Sequence, residues 1–156
     1  MPTVWRITKK KHSKTAFAGQ GARMFGGRWN SPGTSIVYTA QSQSLAILET
    51  LVHLKEQDLL TFYVLFSVEV PEDVLTSLDQ SILPKNWKAE PPPQSVQMIG
   101  DAWANSEISA VLSVPSALVP GELNYLLNPQ HPHFSKLKIG KPIPFQFDPR
   151  FSSKHR

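Results

Sequence analysis

Cysteine is absent from the chain. That excludes disulfides and thiolate zinc sites, and it fits a reducing cytoplasm. Long apolar runs are absent as well: no eighteen consecutive residues are hydrophobic, so no membrane span is expected. The opening "MPTVWRITKKKHSK" has basic residues but no apolar stretch behind them, so no signal peptide is expected. Neither an internal repeat nor a low-complexity tract is found. The glycines do not form a phosphate loop, and "GQGARMFGG" is no dinucleotide fingerprint after a strand. Negative charge is the scarcer sign, with 12 acidic residues against 16 lysines and arginines. The net charge of +4 favours anionic partners: nucleic acid, nucleotides, phosphate or an acidic protein. Much of the excess lies in "KKKHSK" and the terminal "KHR", read as solvated, mobile basic segments.

What is present suits one domain. The 156 residues are 40% hydrophobic, enough to bury a real core. "TVWRITKK" alternates as a strand, with Val4 and Arg6 on one face and Trp5 and Ile7 on the other. "TSIVYTA" is a second strand with Ile36, Tyr38 and Ala40 on one face. "QSQSLAILETLVHLKEQD" reads as a helix capped by Ser42 or Ser44, with a stripe of Leu45, Leu48, Leu51 and Val52. "LTFYVLFSVEV" is a long strand with Phe62, Val64, Phe66 and Val68 on one side. "PEDVLTSLD" reads as a short helix and "LPKNWKAEPPPQ" as a loop. "SVQMIGDAWANS" places Val96, Ile99 and Trp103 at helical spacing. "SAVLSVPSALV" is a buried strand broken by Pro115, "NYLLNPQHPHF" a turn-rich loop, and "FSKLKIGKPIPFQFD" one or two closing strands. The expected class is α+β, a mixed α/β domain spanning 1–156, with a core of about 4–148 and a basic tail at 149–156.

Several side chains could carry chemistry. Gly26 and Gly27 allow positive φ or close approach of a ligand. Arg28 behind them offers a fixed, always-charged fork for phosphate or carboxylate. Tyr38 follows in a strand, and Glu49 falls at the edge of the helical stripe, where a carboxylate borders the core. Ser116 ends the "SVP" strand without a nucleophile-elbow motif. His131 and His133 flank Pro132, but no third partner supports a metal, and none is expected. His53 stands one turn from Glu49 and is read as its pairing partner. An anion clamp, an aromatic ring, a carboxylate and a hydroxyl together suit cleavage of an N-glycosidic bond in a nucleotide. In that reading the arginine holds pyrophosphate or a ribose hydroxyl, the tyrosine stacks on the leaving base, and the carboxylate faces an oxocarbenium-like ribosyl centre.

"WRIT", "GARMFGGRWNSPGTSIVYTAQSQSLAILETLVHL", "VPSAL" and "ELNYLLNPQHPHF" resemble the RES-domain family in order and spacing, from Trp5 to about Phe147. The block from Gly21 to Glu49 is the specific part, supported by "N-x-x-x-N-P-x-H-P". These are bacterial toxins encoded with an Xre-type antitoxin. The resemblance implies a fold related to ADP-ribosyltransferases and consumption of NAD as substrate, by hydrolysis or phosphorolysis. It puts the family arginine, tyrosine, glutamate and serine on Arg28, Tyr38, Glu49 and Ser116. Arg6, Gly27 and Asn124 are further candidate NAD contacts. It also implies a cytoplasmic protein whose antitoxin covers the pocket, with nucleic acid reached only through that antitoxin. Two alternatives stand beside it: ADP-ribosyl transfer to a protein, and a basic RNA-binding protein or ribonuclease.

Overall fold

Four strands, Val37–Ala40, Tyr63–Glu69, Val111–Pro115 and Leu123–Leu127, are buried on both faces, and the fold follows from that. The computed structural model describes residues 1–153. Eight strands form one sheet in the order β4-β5-β6-β2-β1-β3-β7, with β8 also on β3. In chain order they are β1 (Thr3–Lys9), β2 (Val37–Ala40), β3 (Tyr63–Glu69), β4 (Leu75–Ser77), β5 (Val111–Pro115), β6 (Leu123–Leu127), β7 (Lys138–Ile139) and β8 (Ile143–Phe145). All neighbours are antiparallel except β4 and β5. Among the described residues three α-helices accompany them: α1 (Gln20–Phe25), α2 (Gln43–Leu51) and α3 (Gln94–Ser106).

One face of the sheet carries Val4, Val37, Val68, Val111 and Leu127, packed with Val70 and Val74. The other is shared. At one end α2 lays Leu45 and Ala46 against Ile7, Ala40 and Leu65. At the other, α3 lays Val96 and Trp103 against Leu112, Val114 and Leu126. Between these two packings the second face is open. The β1–β2 ladder has one registered pair, Trp5 with Ala40, beyond which the strands diverge. Arg6 reaches the Tyr38 carbonyl across this divergence at 3.1 Å.

Several elements differ from the sequence reading. "NYLL" is not loop but β6, hydrogen-bonded on both sides to β2 and β5. Buried on both faces, it has no alternation to betray it, and its neighbouring prolines favour a loop reading. The helix in "PEDVLTSLD" is only one 3-10 turn, Glu72–Val74, and the rest of the segment enters β4. Phe62 precedes β3 and is exposed; Tyr63 and Leu65 are buried as well as Val64, Phe66 and Val68. Ser42 caps α2 by accepting from the Leu45 amide, but the helix stops at Leu51. Its stripe is also displaced, since Leu48 and Val52 are exposed. The helix packs through Leu45 and Ala46, and Glu49 falls between them on the wheel, at about 100° per residue. Of "KKKHSK", Lys9 ends β1 and the rest enters a 3-10 helix, Lys10–Thr15, with no buried residue. At the other end Pro149–Phe151 is a 3-10 turn and Ser152 is buried against Glu56. The "KHR" of the basic tail lies outside the described residues.

Candidate active site

The open part of the second face is a cleft of about 840 Å³ lined by β1, β2, α2, the α1–β2 turn and the loop before α3. Glu49 points into it from α2. Its Oε1 accepts from Asn124 Nδ2 at 2.6 Å and its Oε2 from Ser116 Oγ at 2.9 Å. Asn124 stands opposite Ala40 in the β2–β6 ladder and also donates to the Thr39 carbonyl. Ser116, one residue past β5, is buried; its Oγ accepts from the Leu118 and Val119 amides. The hydroxyl's lone pairs hold a turn and its proton orients the carboxylate, so every bonding position of Ser116 Oγ is used. Burial pushes the Glu49 carboxyl above its ordinary value, and the Asn124 and Ser116 hydrogen bonds pull against that rise. His53 lines the cleft one turn on; it makes no ion pair with Glu49 within 4.0 Å, but its charge also works against the rise of the Glu49 carboxyl.

The glycine turn makes the facing wall. Gly26 has φ of +77°, in the left-handed region. Gly27 is required for space: a Cβ there would lie 2.6 Å from the Tyr38 hydroxyl. That hydroxyl accepts from the Trp29 amide at 3.0 Å and donates to Asn30 Oδ1 at 2.6 Å. Burial pushes the phenol up, so it stays protonated. Asn30, fully buried, reaches the carbonyls of Ala22, Ser31 and Thr34. The composition did not point to Asn30; its place beside "GGRW" was the available signal. Trp29 is buried as a wedge beneath the turn. Helix α3 fastens the turn from behind. Gln97 donates to the Gly27 carbonyl, Asp101 accepts from Ser31, and Gly100 lets the backbones touch.

Two arginines mark the cleft. Arg6 donates to the Ala16 and Tyr38 carbonyls. No carboxylate lies within 4.0 Å of it among the described residues. Burial lowers its pKa to about 10, so it remains a cation at neutral pH. Arg28 turns to the loop before α3: Nη1 donates to the Trp87 and Ala89 carbonyls, and Nη2 pairs with Glu90 at 3.1 Å. The fold thus gathers Glu49, Ser116 and Asn124 into one hydrogen-bonded unit and sets Arg6, Gly27, Tyr38 and Arg28 around the same cleft. His131 and His133 stand apart. His131 Nε2 bonds the Glu107 carbonyl and Nδ1 accepts from the His133 amide, which fastens the end of α3. No cluster able to hold a metal occurs among the described residues.

The chain belongs to the RES domain family, whose match runs over residues 3–148. It is 41% identical over 148 residues to the protein named Toxin Res of Yersinia enterocolitica, covering 94% of this chain and 97% of that one. It is also 41% identical over 155 residues to the Prs ADP-ribosylating toxin of a Sphingobium species, covering 96% of each. The fold is shared with a chain in the crystal structure of the M. tuberculosis MbcT–MbcA toxin–antitoxin complex. There the TM-score is 0.74 at 22% identity, over 99% of this chain and 88% of the other.

Proposed function

We propose that this protein is the toxin of a toxin–antitoxin pair and that it cleaves the nicotinamide–ribose bond of NAD in this cleft. Membership of the RES domain family and relatives named as toxins support the first part. The second rests on Glu49, half-buried and aimed into the cleft with both oxygens oriented by Asn124 and Ser116. When the C1′–N bond breaks, its electron pair goes to the pyridinium nitrogen and neutral nicotinamide leaves. The ribosyl carbon is left cationic, and a carboxylate fixed beforehand stabilises that charge without reorganising. In water-excluding surroundings its attraction is larger than in bulk solvent. Arg6 supplies positive charge for the phosphates, and the Tyr38 ring gives an apolar wall for a flat base. Asn124 and Ser116 act by positioning Glu49. Ser116 is assigned no nucleophilic step.

The acceptor of the ADP-ribosyl group defines two readings. Water or phosphate gives a glycohydrolase or a phosphorylase. Transfer to a protein side chain is favoured by the relative named as an ADP-ribosylating toxin. Purified protein mixed with labelled NAD, with and without phosphate, separates them: label appears as ADP-ribose, as its phosphate, or on protein. NAD left whole under all three conditions overturns the proposal. The partner is proposed to be an Xre-type antitoxin that covers the cleft, in the cytoplasm. Among the described residues no helix is long and apolar enough to cross a membrane.

A further inference from the structure

We infer that Glu90 is an internal stand-in for the substrate's phosphate charge on Arg28 and so sets the affinity of the cleft for a nucleotide diphosphate. The inference rests on the reading of the cleft as an NAD site. Arg28 is 15% exposed and is held against the segment before α3 by the Trp87 and Ala89 carbonyls. Those oxygens are neutral and cannot balance its charge. Glu90 is the only anion paired with it among the described residues, at 3.1 Å. Its side chain is 59% exposed and lines the cleft beside Lys88 and Gly27. One partner of this pair is therefore fixed and the other is free to swing into water. The segment under Arg28 is stiffened by Pro84, Pro91, Pro92 and Pro93, and Trp87 packs on Trp29 with ring centres 6.0 Å apart. The guanidinium therefore keeps its place when Glu90 leaves. A phosphate matches the guanidinium fork in two parallel bonds and carries more charge than a carboxylate. An incoming diphosphate exchanges for Glu90 on Arg28, and each binding event must displace that carboxylate first.

The test is titration calorimetry with ADP, the diphosphate of the adenosine half of NAD, on the intact chain. Glu90→Gln removes the competing charge and should tighten ADP binding by about two- to fivefold, the range of an exposed ion pair. Glu90→Ala should change it in the same direction. Glu69→Gln, the same charge change on the end of β3 away from the cleft, should match the wild type. In an Arg28→Ala background the Glu90 substitution should give no gain. Unchanged or weaker ADP binding by both Glu90 variants overturns the inference, as does an equal gain from Glu69→Gln or a gain that survives loss of Arg28. The readout does not depend on bond cleavage. Tighter ADP binding without NAD consumption keeps the role of Glu90 and removes the NAD-cleaving function; NAD consumption without the affinity gain does the reverse.

Discussion

Glu49 carries its charge where charge is costly. Glu49→Gln should lower kcat by about 100- to 1000-fold while nucleotide binding persists, because the lost attraction is greatest in the transition state. Steady-state kinetics beside ADP titration checks this, and near-wild-type turnover removes the assignment. Glu56 is a poor control despite its place one heptad on, since its carboxylate accepts from Ser152 and the Ser153 amide. Glu69 serves better. The raised pKa gives a pH signature: kcat/KM should climb through an apparent pKa above the ordinary glutamate value, and Glu49→Gln should erase that limb. Stability runs the opposite way. The folded chain holds the Glu49 proton to higher pH than the unfolded chain does. Its contribution is therefore complete below the ordinary value and is lost as pH rises through the raised one. Melting temperatures of wild type and Glu49→Gln across that window measure it. Ser116→Ala should leave the Leu118 and Val119 amides and one Glu49 oxygen without this partner. The expected cost is about 1–3 kcal/mol for each buried group left unsatisfied. It should nonetheless retain more NAD turnover than Glu49→Gln; mass spectrometry that finds ADP-ribose on Ser116 would reverse this view.

Helix α3 touches no proposed reacting group, yet it holds the wall that does. Gln97, Gly100 and Asp101 lie at helical spacing on one face, and all three meet the glycine turn. A Cβ on Gly100 would fall 1.7 Å from the Trp29 carbonyl oxygen, backbone against backbone. Gly100→Ala should therefore destabilise the protein by about 1–3 kcal/mol or more and also weaken ADP binding, as the turn is pushed off the helix. Thermal melting and calorimetry check both effects. A variant that melts lower but binds ADP normally would separate α3 from the site. Helix α2 works differently: it packs through the small Ala46 beside Leu45, and this close approach brings the Glu49 carboxylate within reach of β6.

The whole molecule presents an open cleft whose rim includes the exposed side chains of Val52 and Leu118. Apolar groups beside a polar cleft suit a protein cover, and a basic toxin suits an acidic interface on that cover. Co-expression with the proposed antitoxin should yield a stable complex without NAD turnover. A complex as active as the free chain contradicts occlusion of the cleft.

Local chemistry alone determined a good deal. Gly26 needs positive φ, Ser42 caps α2, and the 3.6-residue spacing of Val96, Ile99 and Trp103 is a helix whatever surrounds it. The ordered set of "WRIT", the block from Gly21 to Glu49, "VPSAL" and "ELNYLLNPQHPHF" was enough to bring the family into view. Other features had no local signal. "NYLL" becomes a central strand only because β2 and β5 supply hydrogen bonds on both sides, and Asn124 is tolerated there because Glu49 takes its amide. Leu48 and Val52 obey helical periodicity yet face outward, because Leu45 and Ala46 meet the sheet first. Arg28 reads as a free clamp, but its partners lie about sixty residues away in sequence, in a proline-rich loop that the fold folds back onto the cleft. Sequence specifies the torsions and periodicities that act between near neighbours. Which carboxylate meets which amide, and which cation already has an anion, is decided by long-range packing, where burial and competing hydrogen bonds act only once the chain has closed.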